Sequence, residues 1–162
     1  MSAAQEDGFY EAPVAPVSAG GCATPRYEVT RGLFLGLSGC YERIWDTRGP
    51  VRASVVTVPA EAAARWWRFS HGGMAGVGRV GYFRRWETGQ PDAALVAQGV
   101  TYQLGLEADF ASSEAIAWRV MALARADFGT FVAGGARVSG ADAMSAGISL
   151  GIGVEWGRTS TW

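Results

Sequence analysis

Hydrophobic and polar residues alternate along most of the chain with a period of two, which is the period of a β-strand. The clearest stretch lies near the C-terminus. Its apolar parity holds Ala146, Ile148, Leu150, Ile152, Val154 and Trp156, and its other parity holds Ser145, Gly147, Ser149, Gly151, Gly153 and Glu155. Residues 100–110 alternate in the same way. The pattern predicts an all-β protein with an antiparallel up-and-down meander.

Turn-forming residues divide this pattern into strands. The predicted strands span 27–45, 51–58, 73–86, 94–110, 115–126, 130–139 and 145–157, and an eighth falls in 62–69 or in the N-terminal region. The turns that separate them include Ser70–Gly73, Asp127–Gly129 and Gly140–Asp142. Eight strands with turns are enough for a small closed barrel.

Two alanine-rich segments also have helix-forming features. Residues 59–69 open with a proline, and both a helix and a strand stay open there. In residues 113–126, strand parity places Arg119 and Arg125 on one face, whereas a helix scatters them, so a strand is favoured.

The first 26 residues differ in composition from the rest of the chain. They hold three of the six prolines among small residues. We therefore predict an extended N-terminal arm or linker over residues 1–26, followed by one β-domain over residues 27–162.

Aromatic residues gather near the ends of the predicted strands, whereas the middles hold aliphatic residues. Amphipathic rings in this arrangement are typical of the two aromatic girdles of a membrane barrel. The predicted girdle contains Tyr41, Trp45, Trp66, Trp67, Tyr82, Trp86, Phe110, Phe128 and Trp156.

Residues 147–156 and the terminal Trp162 resemble the closing strand and the assembly signal of small OmpA-type outer-membrane barrels of Gram-negative bacteria. The resemblance covers residues 27–162 as a pattern. It implies a closed eight-stranded barrel in the outer membrane, with a structural or surface role. The first residues are acidic where a signal peptide carries a basic segment. Either the chain is not exported by that route, or its numbering begins at a processed form.

The interior parity of such a barrel would carry charged side chains. An eight-stranded barrel is only wide enough to be filled by side chains. We therefore expect these charges to pair internally and plug the lumen. The predicted network contains Arg79, Glu107, Asp109, Arg119, Arg125, Arg137 and Glu155.

Composition and charge narrow the possible functions. The 162 residues have a formal net charge of −1, all 14 basic residues are arginine, and 23 residues are glycine. No window is densely basic, so we expect no nucleic-acid partner. Two cysteines and one histidine are too few for a structural metal site. Whether Cys22 and Cys40 form a disulfide stays open, and no cofactor is predicted.

Two short motifs suggest chemistry but fit other roles better. Residues Gly76–Gly81 match the G-x-G-x-x-G pattern of dinucleotide sites, yet a strand pattern continues through them. Ser70 and His71 are adjacent, and adjacent residues of an extended segment point to opposite faces, so we assign His71 to a turn. We predict no catalytic residues and no enzymatic activity.

A second hypothesis is a soluble β-rich assembly subunit, such as a virion, tail or sheath component, whose N-terminal arm laces subunits together. The expected partner is the lipid bilayer under the first hypothesis and other protein subunits under the second. A lipid-modifying barrel enzyme and a lipocalin-like binder are further alternatives.

Overall fold

The computed structural model describes residues 17–45, 52–88, 96–111 and 116–156, and these ranges form one antiparallel sheet. None of them contains a helix long and apolar enough to cross a membrane. The strands are β1 (Val17–Ala23), β2 (Arg26–Thr30), β3 (Leu33–Leu37), β4 (Gly39–Trp45), β5 (Arg52–Phe69), β6 (Gly72–Thr88), β7 (Val96–Ala111), β8 (Ile116–Ala133) and β9 (Ala136–Trp156). The predicted all-β, antiparallel up-and-down class is confirmed.

The nine strands occupy seven positions across the sheet. The order is β1-β4-β5-β6-β7-β8-β9, while β2 pairs with β3 and β3 pairs with β5. β3 and β4 therefore lie along successive parts of β5, separated by Ser38, whose N–H donates to the carbonyl of Pro59 at 2.8 Å. Within the described residues neither β1 nor β2 pairs with β9, so the sheet is not closed.

Strand boundaries differ from the sequence-based ones in the first half of the chain. Residues 27–45 are not one strand, because Gly32, with φ of 85°, forms a tight turn between β2 and β3. Residues 59–69 are strand, and they join residues 52–58 in the single strand β5. Val17–Ala23 lies in the predicted arm but pairs with β4 as β1, and residues 1–16 lie outside the described residues.

Two predicted turns in the second half are wrong. Asp127–Gly129 lies inside β8, and Gly140–Asp142 lies inside β9. The actual turn is at Gly134 and Gly135, whose φ angles of 56° and 84° suit glycine and let the chain reverse. The turn predicted at Ser70 and His71 is confirmed, since β5 ends at Phe69 and β6 begins at Gly72.

Ion pairs between distant strands show that the sheet is strongly curled. Arg26 on β2 contacts Glu107 on β7, and four strand-to-strand steps separate these strands. A flat sheet would place the strands about 19 Å apart. The buried residues of each strand therefore line a concave face, and the exposed residues form a convex face.

Apolar side chains fill part of the concave face in two clusters. They contain Ala63, Val77 and Leu123 with Phe34 and Met121, and Phe83, Ala97 and Ala143 with Phe131. Both clusters join strands that are not sheet neighbours, so they also depend on the curvature.

On the concave side of β7, the curvature of the sheet brings the backbone of β8 close to Gly105. A Cβ atom at this position would collide with the carbonyl oxygen of Ala122 on β8, whereas a Cβ at Gly78, on the convex side of β6, would meet nothing within 4 Å. Glycine at Gly105 is therefore a packing requirement of the curled sheet.

We predict that Gly105→Ala destabilises the protein by about 1–3 kcal/mol, because the added methyl group forces β7 and β8 apart. Gly78→Ala, on the adjacent strand, should leave stability unchanged or slightly raised. Denaturant unfolding of both variants checks this. Equal stabilities would mean that the concave side is not crowded.

Candidate functional site: the charged concave face

Seven charged side chains on the concave face form one continuous series of ion pairs, which we call the charged chain. All of these side chains are at most 10% exposed. Cations and anions alternate along it, so each of the three carboxylates lies between two of the four guanidinium groups. The order is Arg79, Glu61, Arg26, Glu107, Arg119, Asp109 and Arg65.

Arg26 is the central residue of the charged chain. Its two terminal nitrogens donate to the two carboxylate oxygens of Glu107 at 2.6 and 2.7 Å, and its Nε donates to Glu61. Glu61 also accepts from Nε of Arg79 at 2.5 Å. This forked geometry is the strongest arrangement available to an arginine and a carboxylate. Through Arg26, strand β2 is tied to β5 on one side and to β7 across the concavity.

The other half of the charged chain lies around Asp109 on β7. Arg119 donates from Nε to Asp109 Oδ1 at 2.8 Å and lies 3.5 Å from Glu107. Arg65 donates to the second oxygen of Asp109 at 3.0 Å, and its guanidinium also lies over the ring of Phe34 at 5.0 Å. Both oxygens of Asp109 are therefore occupied by cations.

A second, smaller cluster joins β4, β8 and β9. Arg125 donates to Asp127 at 2.8 Å and to Glu42 at 3.0 Å, and the hydroxyl of Ser145 donates to Asp127 at 3.0 Å. The cluster borders a cavity of about 200 Å³. Among the described residues, no set of histidine, cysteine or acidic side chains could hold a metal.

The structure brings together four of the seven residues that the sequence pattern placed in a lumen network. Arg79, Glu107, Asp109 and Arg119 belong to the charged chain, and Arg125 belongs to the smaller cluster. Arg137 does not join them: it is exposed, because β9 begins only one residue earlier, beside the turn. The side chain of Glu155 lies outside the described residues.

Three members of the charged chain are absent from the network predicted from the sequence. Arg26 fell in the predicted N-terminal arm, and Glu61 and Arg65 fell in the segment that was open between helix and strand. Strand parity would have found the latter two, because they alternate with exposed alanines along β5. No local signal identifies Arg26, because its partners are 35 and 81 residues away.

The convex face carries eight of the nine residues of the predicted aromatic girdle. Seven are exposed, Trp86 is half-buried, and the side chain of Trp156 lies outside the described residues. They lie near two ends of the sheet, which we call the Trp86 end and the Trp118 end. Tyr41, Trp45, Tyr82, Trp86 and Phe128 lie at the first, and Trp66, Trp67 and Phe110 lie at the second.

The remaining motifs have structural roles. Gly76–Gly81 lies within β6, with no helix after it. The argument that Ser70 and His71 point apart is wrong, because they form a turn in which Nδ1 of His71 is 3.0 Å from Oγ of Ser70. Both are exposed, and no described carboxylate contacts His71. Cys22 and Cys40, left open by the sequence, form a disulfide between β1 and β4.

We predict that Glu107→Gln lowers the free energy of unfolding by about 3–5 kcal/mol, because it leaves Arg26 and Arg119 buried without their shared carboxylate. The matched control is Glu42→Gln, whose side chain is 24% exposed. It should cost about 1 kcal/mol or less. Denaturant unfolding measures both. A loss at Glu107 no larger than the loss at Glu42 would contradict a structural role for the charged chain.

Comparison with known proteins identifies no relative. No protein-family model, no curated protein and no solved structure matches this chain.

Proposed function

We propose that this chain is a small integral β-barrel of the outer-membrane type, with a structural or surface role and an interior plugged by side chains. The observation that carries the proposal is the inverted distribution of polarity over the curled sheet. Leu104, Ile148 and Leu150 are 72%, 82% and 82% exposed, while Glu107 and Asp109 are 3% and 2% exposed. A protein surrounded by water has the opposite distribution.

The convex face has a continuous apolar band. The band consists of three rows, each made of residues that are paired with one another on neighbouring strands. The rows pass through Tyr102, Leu104 and Leu106 of β7 and extend over β3, β5, β6, β7, β8 and β9. None of its residues is buried, and the hydroxyl of Tyr102 is its only side-chain polar atom. The band contains Leu33, Leu35, Leu37, Ala60, Ala62, Ala64, Gly76, Gly78, Val80, Tyr102, Leu104, Leu106, Ala122, Ala124, Ala126, Ala146, Ile148 and Leu150.

The height of this band fits a bilayer. The aromatic rows on its two sides pass through Val100 and Phe110, which are ten residues apart on β7. Ten residues extend about 34 Å along a strand, and a tilt of about 40° reduces this to about 25 Å. The apolar belt of outer-membrane barrels is about 25 Å tall. The register carries both rows across the five strands β5 to β9, and a solvated assembly subunit has no reason to keep this spacing.

The disulfide between Cys22 and Cys40 supports an exported location. Disulfides persist in oxidising compartments such as the periplasm and are rare in the cytosol. An outer-membrane protein passes through that compartment before it inserts.

Closure of the sheet is part of the proposal. The continuous pair β1–β2 and the edge strand β9 both run from the Trp86 end to the Trp118 end. Because the two edges run in the same direction, antiparallel pairing can join them only through one additional strand. The seven strand positions then become eight, the number in a small barrel.

Substitution on the convex face distinguishes the barrel from a soluble assembly subunit. In a bilayer, Leu104→Arg places a charge near the middle of the apolar band and should cost about 2–4 kcal/mol. The control Gln98→Arg, on the same face of β7 outside the band, should cost about 1 kcal/mol or less. Unfolding of both variants from phospholipid bilayers, followed by tryptophan fluorescence, measures the difference.

The soluble hypothesis gives a different result. An exposed leucine on a water-facing sheet can be replaced by arginine with a change within about 0.5 kcal/mol. A protein that folds in buffer without detergent, and in which Leu104→Arg and Gln98→Arg are equally stable, would contradict the barrel.

A further inference from the structure

The apolar band gives way to a polar collar at the Trp86 end. The collar is the two register rows through Gln98 and Val96 of β7. The strand register places Tyr41, Val56, Arg84, Gln98, Thr130 and Asp142 in one row and Arg43, Ser54, Trp86, Val96, Val132 and Arg137 in the next. Polar atoms first become frequent on the convex face at this level.

Two arginines of the collar lie among aromatic rings. Arg84 lies between Tyr82 and Trp86 on the same face of β6, and Arg43 lies between Tyr41 and Trp45 on β4. Two strand steps and two residues separate the arginines, which corresponds to about 12 Å between their Cα atoms. Both are exposed, and neither forms an ion pair with a described residue.

The tyrosine rings beside these arginines are held in place by neighbouring strands. The hydroxyl of Tyr41 is 3.2 Å from Oγ of Ser54 on β5, and the hydroxyl of Tyr82 donates to Oε1 of Gln98 on β7 at 3.0 Å. The arginines are therefore presented on a fixed aromatic surface directly beside the apolar band.

The described carboxylates are confined to one face of the sheet. All carboxylates with described side chains lie on the concave parity, where they accept from arginines or from the backbone. They are Glu28, Glu42, Glu61, Glu107, Asp109 and Asp127. Among the side chains that the structure describes, the convex side of the collar carries arginines and no carboxylate, which makes it complementary to an anionic surface.

We infer that Arg43 and Arg84 bind the phosphate of an anionic lipid headgroup whose acyl chains lie against the apolar band. This inference rests on the proposed function, because only a membrane-embedded sheet places lipid at this level. Guanidinium groups match phosphate oxygens through paired N–H donors. The amphipathic rings beside them favour the same interfacial depth. Each arginine near an anionic lipid surface contributes about five-fold to the affinity.

Native mass spectrometry of the full chain in a non-ionic detergent tests this inference. The protein is titrated with phosphatidylglycerol and with phosphatidylcholine of the same acyl chains. Phosphatidylglycerol should bind more tightly, and the double variant R43Q/R84Q should lose about 25-fold in its affinity and bind both lipids equally. R43K/R84K, which keeps both charges, should retain most of the preference. Inorganic phosphate at the same concentration should not displace the lipid.

The control is Arg31→Gln, which removes the same charge from the turn at the opposite end of the sheet. It should keep the preference for phosphatidylglycerol. Equal losses in R31Q and R43Q/R84Q, an unchanged R43Q/R84Q, or displacement by inorganic phosphate would overturn the inference. These outcomes differ from failure of the proposed function, in which the protein remains monodisperse without detergent before any lipid is added.

Discussion

The contact between Arg26 and Glu107 is the constraint on which the rest of the structure depends. It joins strands four steps apart in the sheet, so it exists only if the sheet curls through a large part of a circle. The link between Arg125 and Glu42 imposes the same requirement between β8 and β4. Once the sheet is curled, one face of every strand is enclosed. The glycine at Gly105 and the two apolar clusters fit within that limited space.

A buried ion pair by itself is weak support for stability, because desolvation offsets much of its attraction. Here its main consequence is for the placement of charge. The charged chain satisfies its own groups inside a narrow space, which allows the opposite face to be almost free of charge over three register rows. The polar concave face and the apolar convex face therefore belong to the same arrangement of the sheet. That arrangement suits a lipid surrounding, and the exposed Arg43 and Arg84 lie at the rim of its convex face.

The class of fold could be predicted from the sequence because a period of two persists through nearly every strand. Parity alone placed Arg79, Glu107, Asp109 and Arg119 on one face, and the structure brings them together.

Local signals failed where tertiary packing decides the outcome. Gly129 resembles a turn residue, yet it lies in β8, where a Cβ would collide with the carbonyl of Gln98. Pro59 resembles a helix start, yet its carbonyl accepts from Ser38 within the sheet. The partners of Arg26 could not be predicted, because contacts between strands distant in sequence leave no local pattern.

The most direct measurement of the central claim is the lipid accessibility of consecutive positions on β7. Single spin labels at residues 101, 102, 103, 104 and 106, in protein reconstituted into phospholipid bilayers, are compared for collision with dissolved oxygen and with a water-soluble nickel chelate. A convex face that lies in lipid predicts high oxygen accessibility at positions 102, 104 and 106, low accessibility to both reagents at 101 and 103, and hence a period of two. High accessibility to the nickel chelate at 102, 104 and 106 would show that the convex face meets water, and would contradict the account.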